Sequence, residues 1–152
     1  MSTGYLIVVG VDGSEGGRRA LAWAATEAAA RGGAVRAVIA WSWTGLDYGP
    51  IATAVSPSDE SALAGQVLAS EIDALARERG SRLPVTAEVV EGSPAEALTT
   101  AARDADLLVL GSHGHSRVRH TVLGSVSESC IRKATCPVVV IPAPIREPAT
   151  VG

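Results

Sequence analysis

Five short apolar runs, separated by segments with helical spacing, constrain this chain more than any other feature. The runs are Tyr5 to Val11 (YLIVVGV), Ala34 to Trp41 (AVRAVIAW), Pro84 to Glu91 (PVTAEVVE), Leu107 to Leu110 and Pro137 to Ile141 (PVVVI). The first is short, apolar and rich in β-branched residues, as in a strand buried on both faces of a parallel sheet, and the third alternates. Between them lie four predicted helices. The first runs from Glu15 to about Arg31, with Ser14 as N-cap, Gly32-Gly33 as its stop, and Leu21, Ala24, Ala25 and Ala28 as its apolar face. The second spans Ser58 to Gly80, capped by Ser58, with Leu63, Val67, Leu68, Ile72, Leu75 and Ala76 at helical spacing. Ser93-Pro94-Ala95-Glu96 reads as a capping box opening a third helix to about Arg103, and Ser125 with Glu128 as a second box opening a fourth to about Lys133. A helix between every pair of strands implies an α/β fold: an open five-stranded parallel sheet, doubly wound, with four helices and right-handed crossovers.

The 152 residues suffice for one domain with a real core, expected over 1–142, and the proline-bearing stretch 143–152 reads as a flexible tail. Phe is absent, so Ala, Val, Leu and Ile must build the core, which favours close helix-on-sheet packing. A net charge of −3 and a pI near 5.6 give no support to nucleic-acid binding. Lys133 is the single lysine, which excludes a lysine-dependent phosphate loop or Schiff base elsewhere. Cys130 and Cys136 are too few for a disulfide scaffold and read as buried thiols. No basic n-region opens the chain and no apolar run approaches the ~20 residues that span a bilayer, so a soluble cytoplasmic protein with no membrane partner is expected. The stretch from Ser42 to Pro57 is long for a connection, as functional or mobile loops often are.

The chemistry concentrates in residues 107 to 128, LLVLGSHGHSRVRHTVLGSVSE. An apolar strand stops at Gly111, Gly114 and Gly124 follow, and a helix begins at Ser125. A strand, a glycine-rich loop and a helix N-terminus together suit an anion, because backbone N–H groups and the positive end of the helix dipole converge there. His113, His115, His120 and Cys130 form a conceivable zinc set, but His-x-His is a poor ligand spacing and no acidic third ligand is evident. Ser112 to His115 also matches part of a nucleotidyltransferase motif that belongs after a first strand, not a fourth.

The spacing Gly111-x2-Gly114-x9-Gly124-Ser125 resembles the G-2x-G-9x-G-(S/T) signature of universal stress proteins of the ATP-binding type. The V-D-G-S ending of the first strand, the A-W ending of the second and the closing C-P-V-V-V-I are similar to theirs as well. The resemblance covers residues 3 to 142. It implies the strand order 3-2-1-4-5, and in such sheets ligands bind beyond the strand ends where the order reverses. The endings Asp12-Gly13-Ser14 and Gly111-Ser112-His113-Gly114 would then converge on one crevice. By the same resemblance Asp12 contacts the nucleoside, Val11 and Ala40 line the adenine, and Gly111 and Gly114 lie against ribose and phosphates. Gly124, Ser125, Val126 and Ser127 match the phosphate-binding helix start, where serine hydroxyls would add donors, and His113 matches a position near the phosphates. Arg117 and Arg119 are candidates to pair with phosphate, a solvated loop being the equal alternative. Ile39 stands where many members carry histidine, so one polar contact is expected to be missing.

The implied ligand is ATP, with Mg2+ or Mn2+ carried on the phosphates. Asp12 is the one acid in the expected pocket and no general base is evident, so a conformational or interaction-based output is expected, with slow hydrolysis or autophosphorylation at most. A cyclic AMP-binding module and a ligand-free dimeric interaction protein are the alternatives; flavin binding fits the loop order poorly. The apolar fifth strand would lie at the sheet edge and invite pairing with another chain, so a homodimer through 137–141 is expected.

Overall fold

The computed structural model describes residues 4–42, 56–113 and 123–142. In chain order these form β1 (Leu6–Gly10), α1 (Glu15–Arg31), β2 (Ala34–Trp41), α2 (Pro57–Arg79), β3 (Val85–Glu91), α3 (Pro94–Ala101), β4 (Leu107–Gly111), α4 (Ser125–Lys133) and β5 (Val138–Ile141). All strand pairs are parallel and the sheet order is β3-β2-β1-β4-β5. Among the described residues no helix is long and apolar enough to cross a membrane.

Side-chain alternation divides the core in two. Ile7 and Val9 of β1, with Leu107 and Val109 of β4, pack on one face against Ala20, Leu21, Ala24, Ala25 and Ala28 of α1 and Leu68 and Leu75 of α2. Val8, Val38, Leu108 and Leu110 point to the other face, against Leu98 of α3, Ala102 at its end and Cys130 of α4. β1 and β4, at the centre of the site, are therefore apolar at every position, as two-sided burial requires. Four alanines on the buried stripe of α1 let that helix sit close to the sheet. The edge strands differ: β3 exposes Thr86, Ala87, Glu88 and Val89, whereas every residue of β5 is half-buried.

The helix ends correct the sequence reading in detail. Ser14 does cap α1, accepting the Gly17 N–H at 3.1 Å, and Gly32 ends it in the left-handed conformation at φ 65°. Ser56, not Ser58, caps α2: its Oγ accepts the Asp59 N–H at 3.2 Å while Asp59 returns a bond to the Ser56 N–H. Pro57, which needs no partner for a missing N–H, takes the first helical position. Neither Ser93 nor Ser125 makes the expected capping box. Ser93 is an N-cap without a side-chain bond, α3 stops at Ala101, and Gly124 takes the cap position of α4, leaving Ser125 inside the helix. Glu128 instead pairs with Arg132 at 2.7 Å. Leu63 and Val67 are 52% and 36% exposed, so the buried stripe of α2 is narrower than its spacing suggested.

Gly111 ends β4 directly against the first turn of α1. A Cβ built on it would lie 2.8 Å from both the C and the O of Gly16, and one built on Gly16 would lie 2.5 Å from the His113 carbonyl oxygen. Backbone meets backbone here, so neither residue can carry a side chain without displacement. Gly111→Ala is expected to lower stability by about 1–3 kcal/mol, the usual cost of overpacking, measured by urea denaturation.

Cys130 is fully buried, and desolvation pushes its thiol up to about 11, against a smaller opposing pull from Lys133. Cys136 is only half-buried, so one of the two expected buried thiols is reachable. At pH 8 an alkylating reagent should label Cys136 in the folded protein and reach Cys130 only after denaturation; peptide mapping decides, and equal labelling would contradict this packing.

Candidate functional site

Strand order reverses between β1 and β4: the chain leaves β1 toward β2 on one side, and β4 lies on the other. Beyond their C-terminal ends a cleft of about 300 Å3 opens, at the lower end of the range for small-molecule sites, ~300–1,000 Å3. Helices following parallel strands return antiparallel to them, so their N-termini gather at this end. Ser14 at the start of α1, Pro94 at the start of α3 and Ser125 at the start of α4 all line the cleft, which sums three positive dipole ends there.

The β1–α1 corner is held by one aspartate. Asp12 Oδ1 accepts the Ser14 N–H at 3.0 Å and the Ser14 hydroxyl in a short bond, and Ser14 Oγ in turn accepts the Gly17 N–H. Gly13, between them, takes φ 81°, a conformation that favours glycine. Asp12 is exposed at the cleft while Ser14 is buried. A Cβ on Gly17 would stand 2.9 Å from Asp12 Oδ1, so the side-chain-free position gives the carboxylate room. Val11 is buried at the cleft wall, its N–H bonded to the Val38 carbonyl at 2.9 Å.

The β4–α4 corner is built differently. Gly124 has no side chain with which to cap, and no side-chain bond caps α4. The N–H groups of Ser125, Val126 and Ser127 fall in its first turn, where no intrahelical acceptor exists. The two ends of the glycine loop are tied together, Gly124 N–H donating to the Ser112 carbonyl at 2.7 Å. Ser112 N–H donates to the Ile141 carbonyl at 2.9 Å, which joins the loop to β5. Ser112 Oγ lies 3.1 Å from His113 Nδ1, and His113 borders the cleft.

Of the residues singled out from sequence, Val11, Asp12, Ser14, Ala40, Gly111 and His113 meet at this cleft, as do Gly124, Ser125, Val126 and Ser127. Gly13 supports it from the turn behind. Gly114 and Arg117, together with His115, Arg119 and His120, lie outside the described residues, as do 43–55 of the long loop and the tail 143–152. Ile39 is buried in the core beside α1 and α2, while Val38 and Ala40 take the cleft side of β2, so its identity withholds no contact from the cleft. Among the described residues no three His, Cys, Asp or Glu side chains cluster as a metal would need.

Sequence reading missed Gly10, Gly17, Val38, Pro94, Leu98 and Leu110, which also line the cleft. Two signals were available. A Gly16-Gly17 pair inside a helix is costly by propensity and asks for a packing reason, and Leu98 lies on the apolar stripe of α3 that Leu110 of β4 packs against.

The model of the universal stress protein family matches residues 6–142. The chain is 34% identical to "Universal stress protein Rv2005c" of Mycobacterium tuberculosis over 161 residues, covering 96% of this chain and 53% of that one. The chain thus spans about half the length of the curated relatives it matches. Among solved structures it is similar to a universal stress protein in complex with cAMP, at 26% identity and a TM-score of 0.68, covering 93% of this chain and 98% of that one. It is also similar to the Archaeoglobus fulgidus universal stress protein in complex with dAMP, at 27% identity and a TM-score of 0.65, covering 90% and 97%. With the family's model running from β1 through β5 and its solved members sharing the fold, this chain belongs to the universal stress protein family.

Proposed function

We propose that the cleft between β1 and β4 binds an adenine nucleotide, with ATP as the physiological ligand. One observation carries this reading: the N-terminus of α4, uncapped by any side chain, opens onto a cleft whose walls include apolar Val38, Ala40, Leu98 and Leu110. An apolar wall suits a base, and an uncapped helix start suits phosphate. Asp12, whose carboxylate reaches the cleft rim, is the group to meet ribose hydroxyls. Gly114 and Arg117 would complete the phosphate loop, and Mg2+ or Mn2+ would travel on the phosphates rather than on a protein cluster. The solved complexes of relatives with cAMP and dAMP support adenine as the base. Cyclic AMP is accordingly the second reading.

The output of such a site is regulatory. Asp12 is already committed to the Ser14 turn, and among the described residues of the cleft no second carboxylate stands beside it to activate water. Nucleotide occupancy would instead order the segments flanking the cleft and change what the surface presents.

Protein purified without added nucleotide, then denatured, should release an adenine nucleotide identifiable by chromatography. Calorimetric titration should show ATP binding more tightly than cyclic AMP, and Gly114→Val should weaken ATP by about tenfold or more, the equivalent of ~1.4 kcal/mol. Tighter cyclic AMP binding would favour the second reading, and no binding by either would leave a ligand-free interaction protein. Rapid ATP turnover by a contaminant-free sample would overturn the non-catalytic output.

We further propose a homodimer through β5. This edge strand carries only Val and Ile, half-buried in one copy, whereas the opposite edge carries Glu88 and Glu91. Sedimentation at micromolar concentration should show a dimer, and Val140→Lys should return it to monomer.

A further inference from the structure

Two consecutive carbonyls at the end of β4 are covered from α4. Ser127 Oγ donates to the Gly111 carbonyl at 2.7 Å, and the Gly124 N–H donates to the Ser112 carbonyl at 2.7 Å. Ser127 is buried, at 3% exposure, yet it borders the cleft together with Gly111. Sequence reading assigned its hydroxyl to phosphate. The structure gives that proton another acceptor, since a serine hydroxyl has a single hydrogen to donate.

We propose that Ser127 is a positioning residue that screens the anion site from the strand's own carbonyl. A backbone carbonyl carries partial negative charge at its oxygen, and an uncovered one beside a phosphate repels it in a low-dielectric cleft. By bonding Gly111, Ser127 draws that oxygen onto α4 and pins the first turn of the helix to the strand end. Gly124 does the same one residue later. What remains directed at an anion is the set of first-turn N–H groups of α4. This role rests on the nucleotide reading for its ligand, but the latch itself is a property of the protein alone. It predicts that Ser127 matters in proportion to the negative charge on the ligand and not for the base.

The test compares wild type, Ser127→Ala and Ser127→Thr. In ligand-free protein, the Gly111 carbonyl carbon should shift upfield by NMR in Ser127→Ala as it loses its donor, while the Ser112 carbonyl, still bonded by Gly124, shifts less. In titrations with adenosine and ATP, Ser127→Ala should weaken ATP by about tenfold, as for one carbonyl dipole uncovered beside the phosphates, and leave adenosine within about twofold. Ser127→Thr, which keeps the hydroxyl, should restore both the carbonyl shift and the ATP affinity. An unchanged Gly111 carbonyl in Ser127→Ala overturns the latch, and equal weakening of adenosine and ATP overturns the screening role. If wild type binds neither ligand, the nucleotide reading and the screening role both fall, whereas the carbonyl shift still decides the latch.

Discussion

The contact between Gly16 and Gly111 sets the geometry on which the rest of the cleft depends. Two backbones from chain segments about a hundred residues apart touch without intervening side chains. That approach brings the start of α1 to the end of β4 and fixes the width of the crevice where the strand order reverses. Every later feature of the site refers to it. Asp12 and Ser14 hang from the α1 side, Ser112 and His113 leave from the β4 side, and the α4 start is tied to the same strand end through Ser127 and Gly124. The alanine stripe of α1 serves the same end, because a helix bearing larger residues would stand farther from the sheet.

The two corners divide the work by opposite capping choices. At the β1–α1 corner the side chains of Asp12 and Ser14 take up the Ser14 and Gly17 N–H groups, so the turn holds its own backbone donors. At the β4–α4 corner the cap residue is glycine, and the backbone donors are left for something else. A glycine cap forgoes only a few tenths of a kcal/mol, roughly, relative to a good side-chain cap, yet it leaves the first-turn donors without an acceptor. Retaining that cost at the one point where three helix dipoles converge is consistent with a ligand that supplies the missing acceptors.

Much of the architecture was legible because burial on two faces leaves an unmistakable mark: β1 and β4 are apolar at consecutive positions, and helical spacing separates every pair of strands. Cap positions were less legible. Ser56 and Ser58 both precede Asp59 within reach, and only the presence of Pro57 at the first helical turn decides between them. Ser125 and Gly124 differ by one residue, and the glycine wins because the chain enters α4 while still bonded to Ser112. The role of Ile39 could have been read from period two, since it shares its face with Val35 and Ala37 and not with Ala40. The need for glycine at 16 and 111 as a pair is hardest to read locally. It arises from a tertiary approach, visible in sequence only as a helix carrying a residue that helices avoid.

Parallel strands give the molecule a direction. Every strand begins at one end of the sheet and finishes at the end that bears the cleft, so the chain enters β1 on the far side and leaves β5 at Ile141 on the cleft side. Ile141 is also the residue whose carbonyl holds Ser112. Pro142 therefore stands beside the cleft, whereas Gly4 stands at the opposite end of the sheet, about 16 Å of strand away. Order along the chain is thereby converted into nearness to the cleft.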